Sequence, residues 1–405
     1  MEPRLAILIL IPLCLPVEAA RARIQPTLAR VAPAGQQQFR VSTMPARLEA
    51  ATLVASVRWS VNGVLGGSAE CGTIDSSGLY RAPGRIPSPP EVHVGAEAEG
   101  VENRHLSATV LVGGRPPSYR LVRQWGEPAD RLDRMKSPHG ISIEPGGQVL
   151  IADEGSGRVL RYTPEGTFVR QIGHGPGREN GQFTRPRHAV AASDGRIFVS
   201  DEKSDRPRLQ VFSQEGEFLR TLGEKGTGAG MLLRAHGMQF DSQGRLFVVD
   251  VDNARVNVYE ASGKFLHAWG KDGLYPGEFN AAHGLVLDLS GDVFLCGYYG
   301  PVSKYDPEGR FLLAFNYGEP PDGPLYFHSI GGDRWGNVYV AVRNQGTRRG
   351  PWDVIKYNNH GDFITGWRLT SPDPETNWVA VDPQDAAYVL FQSKSKVGVE
   401  VFRPE

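Results

Sequence analysis

The chain has 405 residues, 44 basic and 45 acidic, for a formal net charge of -1, which excludes a globally electrostatic attraction to nucleic acid or anionic lipid. Glycine (49) and proline (30) are abundant and no stretch sustains a 3.6-residue apolar period, so the pattern predicts a turn-rich, all-β protein with almost no helix. Three scattered cysteines, Cys14, Cys71 and Cys296, exclude a disulfide framework and a zinc site built on thiolates.

Residues 1–19 read as an export signal: Arg4 precedes an apolar run from Leu5 to Val17, and Val17-Glu18-Ala19 suits cleavage. The run is broken by Pro12 and Pro16 and is too short to span a bilayer. An exported protein (periplasmic, cell-surface or extracellular) with no transmembrane segment after cleavage is therefore expected.

From residue 23 to 112 short alternating segments such as "SVRWSVNG" and "EVHVGAEA" are separated by Gly, Pro, Asn and Ser, which predicts a small β-sandwich. The stretch around Trp59, Gly72-Thr73-Ile74, Gly78-Leu79-Tyr80 and Ala82-Pro83 resembles bacterial immunoglobulin-like domains. That resemblance implies a spacer or adhesive module. Residues 113–118, "GGRPPS", read as a linker.

From residue 119 to 405 the chain repeats itself. "SPHGISIEPGGQVLIADEGSGRVLRY" is answered by "RPRHAVAASDGRIFVSDEKSDRPRLQVF" and by four further units. Each holds four period-2 runs, one propeller blade, and no single unit can bury both faces of its sheet. The sixth unit lacks its fourth strand, and "YRLVRQWG" (Tyr119 to Gly126) matches the missing segment. Pairing of first and last segments would close a six-bladed ring. The pattern Gly-apolar-x-apolar followed by "VxD…RVxxF" resembles NHL-repeat propellers, a group that includes enzymes, receptors and RNA-binding proteins. Lys and Arg are dispersed over every unit, so the basic stripe of an RNA binder is missing.

His139, His188, His236, His283 and His328 recur at intervals of 49, 48, 47 and 45 residues, and a further 49 reaches Asn377. The expected place is the start of each innermost strand, beside the central channel. Repeat duplication of a turn-friendly histidine is one account of this. The other is a metal or ligand site, since converging neutral imidazoles suit Zn²⁺ or a similar borderline cation.

This arrangement is similar to peptidyl-α-hydroxyglycine α-amidating lyase, which holds zinc in its channel. The resemblance assigns the metal to His139, His236 and His328, with His188 and His283 additional. It also implies a catalytic tyrosine and arginine, for which Tyr299 and Arg343 stand at comparable loop positions, in neighbouring blades and in reverse chain order. Tyr298, Arg348, Arg349 and Asn377 complete a rim suited to a carboxylate-bearing ligand. Two function classes fit. One is a binding or scaffolding propeller that holds a protein, peptide, glycan or small molecule on this face, without nucleic acid. The other is a zinc-dependent lyase or hydrolase.

Overall fold

Alternating apolar side chains put one set on each face of a strand, so each repeat makes a sheet that neighbours must cover on both sides. The computed structural model describes residues 20–43, 54, 56–126, 135–202, 205–273, 275, 277–279, 281–297, 300–315, 327–342, 351–371, 374–393 and 396–405. Tyr298, Tyr299, Arg343, Arg348, Arg349 and the export segment 1–19 lie outside the described residues.

Beyond residue 118 the strands form six four-stranded sheets. Their inner strands are Pro138–Ile143, Pro186–Ala191, Ala235–Phe240, Ala282–Leu287, Phe327–Gly332 and Glu375–Val381. Each contacts the next and the last contacts the first, which is how β-propeller blades surround an axis. An apolar cluster fills the space between neighbouring sheets: Ile151 and Leu160 meet Tyr388 and Leu390 in one, and Phe294 and Val302 meet Val340 and Ile355 in another. The sixth sheet takes its outer strand from Tyr119–Trp125, paired antiparallel with Val397–Pro404. Helix is limited, among the described residues, to two three-residue 3-10 turns, and no helix there is long and apolar enough to cross a membrane.

At the end of the second strand in each of the first three repeats an aspartate binds local backbone. Asp153 accepts from the amides of Lys136 and Ser137, Asp201 from Thr184 and Arg185, and Asp250 from Leu233 and Arg234. These carboxylates are structural, as their position before a turn suggests.

Ahead of residue 113, a two-stranded, a five-stranded and a four-stranded sheet share one core containing Ile24, Phe39, Trp59, Tyr80 and Val94. This unit does not hang free as a spacer. It packs on turns at one end of the fourth and fifth propeller sheets, the end away from the histidines. Lys356 Nζ lies 2.6 Å from Glu91 Oε2 and 3.6 Å from Asp333 Oδ2, and Asn337 donates to Glu91 Oε1. Tyr339 donates to Asp333, and the Tyr119 and Tyr339 hydroxyls are 2.9 Å apart. Arg21 reaches Asp292 at 2.7 Å, and Asp292 also holds the buried Lys304. His93 stacks on Trp335 at 4.7 Å, and His360 Nε2 meets the Ser107 carbonyl at 3.1 Å. Buried charges of this kind need partners on both sides of an interface. Here they have them.

Candidate functional site

Each inner strand begins with a break in its ladder. The ladder register skips His139, His283 and His328 in their strands, and His236 lies in a two-residue irregularity at the same place, while Asn377, at the skip of the sixth strand, has its side chain outside the described residues. A bulged residue leaves the sheet plane and turns its side chain toward the axis. His188 does not share this position. The unpaired residue of the second repeat is Arg187, while His188 pairs with Ser200 one step further along the channel. Pro138 and Pro186 occupy equivalent ladder positions, so counting from histidine to histidine misplaced the second repeat by one residue.

The next position is glycine in three repeats because the neighbouring strand crosses against it. A Cβ on Gly140 would stand 2.4 Å from the Arg187 carbonyl oxygen, and one on Gly237 2.5 Å from that of His283. In the second and sixth repeats this position holds His188 and Trp378, which stack at 4.8 Å. Trp378 also lies 5.8 Å from the His139 ring, 6.1 Å from His236 and 6.5 Å from His328. It forms a floor beneath the histidines.

Above that floor the rings converge. His139 is 4.8 Å from His236 and 5.3 Å from His328, and His283 is 4.3 Å from His236 and 6.0 Å from His328, centroid to centroid. All four rings are buried. Burial, joined by the Arg187 charge, holds the His139 imidazole well below its ordinary range, and burial with the surrounding histidines does the same to His236. They are neutral at physiological pH. His236 Nδ1 stands 3.2 Å from the His283 carbonyl oxygen, so the ring proton is on Nδ1 and the Nε2 lone pair is free.

One wall of the mouth is charged. Arg187, only 7% exposed, donates to Glu202 and Glu154. Glu202 Oε2 is 3.9 Å from His236 Nε2, and Oε1 is 3.7 Å from Arg234 and 3.9 Å from Arg185. Burial pushes the Glu202 carboxyl upward against the opposing pull of Arg187. Reasoning from sequence did not single out Arg187, Glu202 or Trp378. The signals were there: Glu202 follows the strand-end Asp201 as Glu154 follows Asp153, and Trp378 stands where three other repeats carry glycine.

No protein-family model matches the chain. A 156-residue stretch is 30% identical to protein brain tumor of Drosophila melanogaster, covering 36% of this chain and 14% of that protein. A 146-residue stretch is 32% identical to human NHL repeat-containing protein 3, covering 33% and 40%. A third, of 98 residues, is 33% identical to mouse peptidyl-glycine alpha-amidating monooxygenase, covering 23% and 10%. The solved structure of a protein of unknown function from Bacteroides thetaiotaomicron aligns with 96% of this chain and 99% of its own, with a TM-score of 0.53 at 11% identity. The repeats are NHL repeats of a β-propeller. The matches span well under half the length of each named relative, so what those whole proteins do is not carried over with the fold.

Proposed function

We propose that this is an exported binding propeller of six NHL blades, closed by the Tyr119–Trp125 strand and preceded by an immunoglobulin-like domain. In this reading the histidine mouth takes a small ligand or a borderline divalent metal, foremost Zn²⁺. The carrying observation is the His236 tautomer: Nδ1 engaged by the next repeat's carbonyl and Nε2 left for the shared space. Histidines that ligate metals are oriented in this way by a donor contact from their other nitrogen. Three imidazoles on one tetrahedral ion have ring centres roughly 5 Å apart, given Zn–N bonds of about 2.0–2.1 Å. His139 with His236 and with His328 has that spacing. Among the described residues no three His, Cys, Asp or Glu already have donor atoms gathered for a metal, so binding requires the imidazoles to rotate.

Bound zinc would supply Lewis acidity to an oxygen atom of the ligand. The chain's own cations at the mouth are Arg185 and Arg234, which are paired with Glu154 and Asp252 and would turn from those carboxylates toward the carboxylate of a ligand. The second reading, a zinc-dependent lyase or hydrolase, is favoured by the 98-residue match to the amidating monooxygenase. It needs the rim groups Tyr299 and Arg343.

Zinc titration by calorimetry, with metal content measured after gel filtration, tests the site. One equivalent is expected to bind the wild type and none His236→Ala, with both folded by circular dichroism. Undiminished zinc in His236→Ala would sink the metal reading. Turnover of peptidyl-α-hydroxyglycine by zinc-loaded protein separates the enzyme from the binder.

A further inference from the structure

The second repeat interrupts the ring of histidines. In the first, third, fourth and fifth repeats a histidine stands at the break in the inner-strand ladder, whereas the second repeat carries Arg187 there. His188 does not fill the gap. Its Nδ1 accepts from the Met238 amide at 3.2 Å, which leaves the ring proton on Nε2 and no lone pair for a cation. Glu202, just past the second strand of the same repeat, comes in instead. Its side chain is only 3% exposed, and Oε2 lies 3.9 Å from His236 Nε2.

That distance is too long for a hydrogen bond. It also separates two acceptors. The His236 proton is on Nδ1, against the His283 carbonyl, and the guanidinium groups of Arg187, Arg185 and Arg234 favour Glu202 as the carboxylate. Two lone-pair donors this close and out of water repel each other unless a cation lies between them. Donor atoms bound to one tetrahedral zinc at about 2.0–2.2 Å are roughly 3.3–3.5 Å apart. A closure of about half an ångström therefore makes this nitrogen and this oxygen ligands of the same ion.

Service to Arg187 does not explain why Glu202 is buried. Glu154, which follows the strand-end aspartate of the first repeat, also accepts from Arg187 and keeps a side chain that is 28% exposed. Arg187 donates to the same Oε2 of Glu202, but an ionised carboxylate oxygen has a second lone pair, and ligating carboxylates keep hydrogen-bond partners of this kind.

We propose that Glu202 is itself a ligand of the metal at the histidine mouth, beside the His236 and His139 imidazoles. This rests on the metal reading of the mouth given above. Imidazoles joined by one carboxylate are a known form of open zinc site, with a position left for an oxygen atom of the bound molecule.

Two measurements test it: zinc affinity by competition with a chromophoric chelator, and the crystal structure of zinc-loaded wild type read by anomalous scattering. Glu202→Gln keeps the shape of the side chain and leaves Arg187 paired with Glu154, so it should match wild type in near-ultraviolet circular dichroism. Its zinc affinity is expected to fall more than about 100-fold, beyond the roughly 10–100-fold lost with a partner outside the ligand shell. In the loaded wild type Glu202 Oε2 should lie about 2.0–2.2 Å from the ion. A loss smaller than about 100-fold, or an oxygen more than about 2.5 Å from the bound zinc, would overturn the assignment of Glu202 and leave the metal site standing. Wild-type protein that takes up no zinc would overturn both.

Discussion

Buried polar groups sit at both ends of the propeller, and they are treated differently. Where the N-terminal unit docks, Lys356, Glu91, Asp333, Asn337, Tyr339 and Tyr119 satisfy one another in a continuous network. Along the channel, His139 Nδ1 and His188 Nε2 are buried and make no hydrogen bond of normal geometry, with the backbones of Arg187 and Ile141 beside their rings. A completed network rigidifies a structure, whereas an incomplete one costs stability and persists where something else completes it. The difference is one of degree, since Asp385 Oδ1 at the docking end is also buried without a hydrogen-bond partner.

The largest effect should come from breaking the completed network. Lys356→Ala leaves Glu91 and Asp333 buried without their cation and should cost about 3–5 kcal/mol in urea unfolding. The double change Lys356→Met with Glu91→Leu should recover most of it. If Lys356→Ala unfolds like wild type, the interface is not the rigid element described above.

Acid tests the same end. Burial, aided by the Lys304 charge and opposed by Ser107, Asp362 and Asp292, lowers His360 from an ordinary 6.5 to about 4. The unfolded chain takes up this proton before the folded one does. Stability is therefore complete above pH 6.5 and falls as pH drops toward 4, by roughly 3 kcal/mol for this group. Urea midpoints at pH 7, 5.5 and 4.5 should show the loss, and His360→Gln should flatten it.

A smaller loss is expected inside a single repeat. Asp250→Ala strips the acceptor from the Leu233 and Arg234 amides and should cost about 2 kcal/mol. Its hydrogen-exchange signature should be local, with faster exchange at those two amides. Smallest of all is Glu102→Gln. Glu102 receives Arg310 across the domain boundary, while Arg310 keeps the buried Asp306 as its second partner, so the loss should stay under about 1 kcal/mol.

Much of the architecture was legible because repetition amplifies a weak signal. One alternating run is ambiguous, but six in the same order leave few other folds. The pairing of Tyr119–Trp125 with Val397–Pro404 could be read from a missing fourth strand in the last repeat. The histidine spacing was legible too, yet spacing is blind to a bulge: a one-residue slip between Arg187 and His188 changes which side chain faces the mouth and which tautomer the other adopts. The docking network was hidden for a different reason. Glu91 and Lys356 meet only because two separately folded surfaces fit, and nothing local to either segment announces the other.

The pairing of Tyr119–Trp125 with the last strand also sets a timetable. Arg120 and Glu405, joined across that pairing, are 285 residues apart in the chain. At a synthesis rate of about 5–20 residues per second, the first partner waits on the order of tens of seconds for the second. Through that interval its backbone donors and acceptors have no ladder to join, and a free strand edge pairs with whatever matching edge comes near. Crowded ribosomes carrying the same message would offer such edges, so exchange of this strand between copies is the error to which the chain is most open while it is being made.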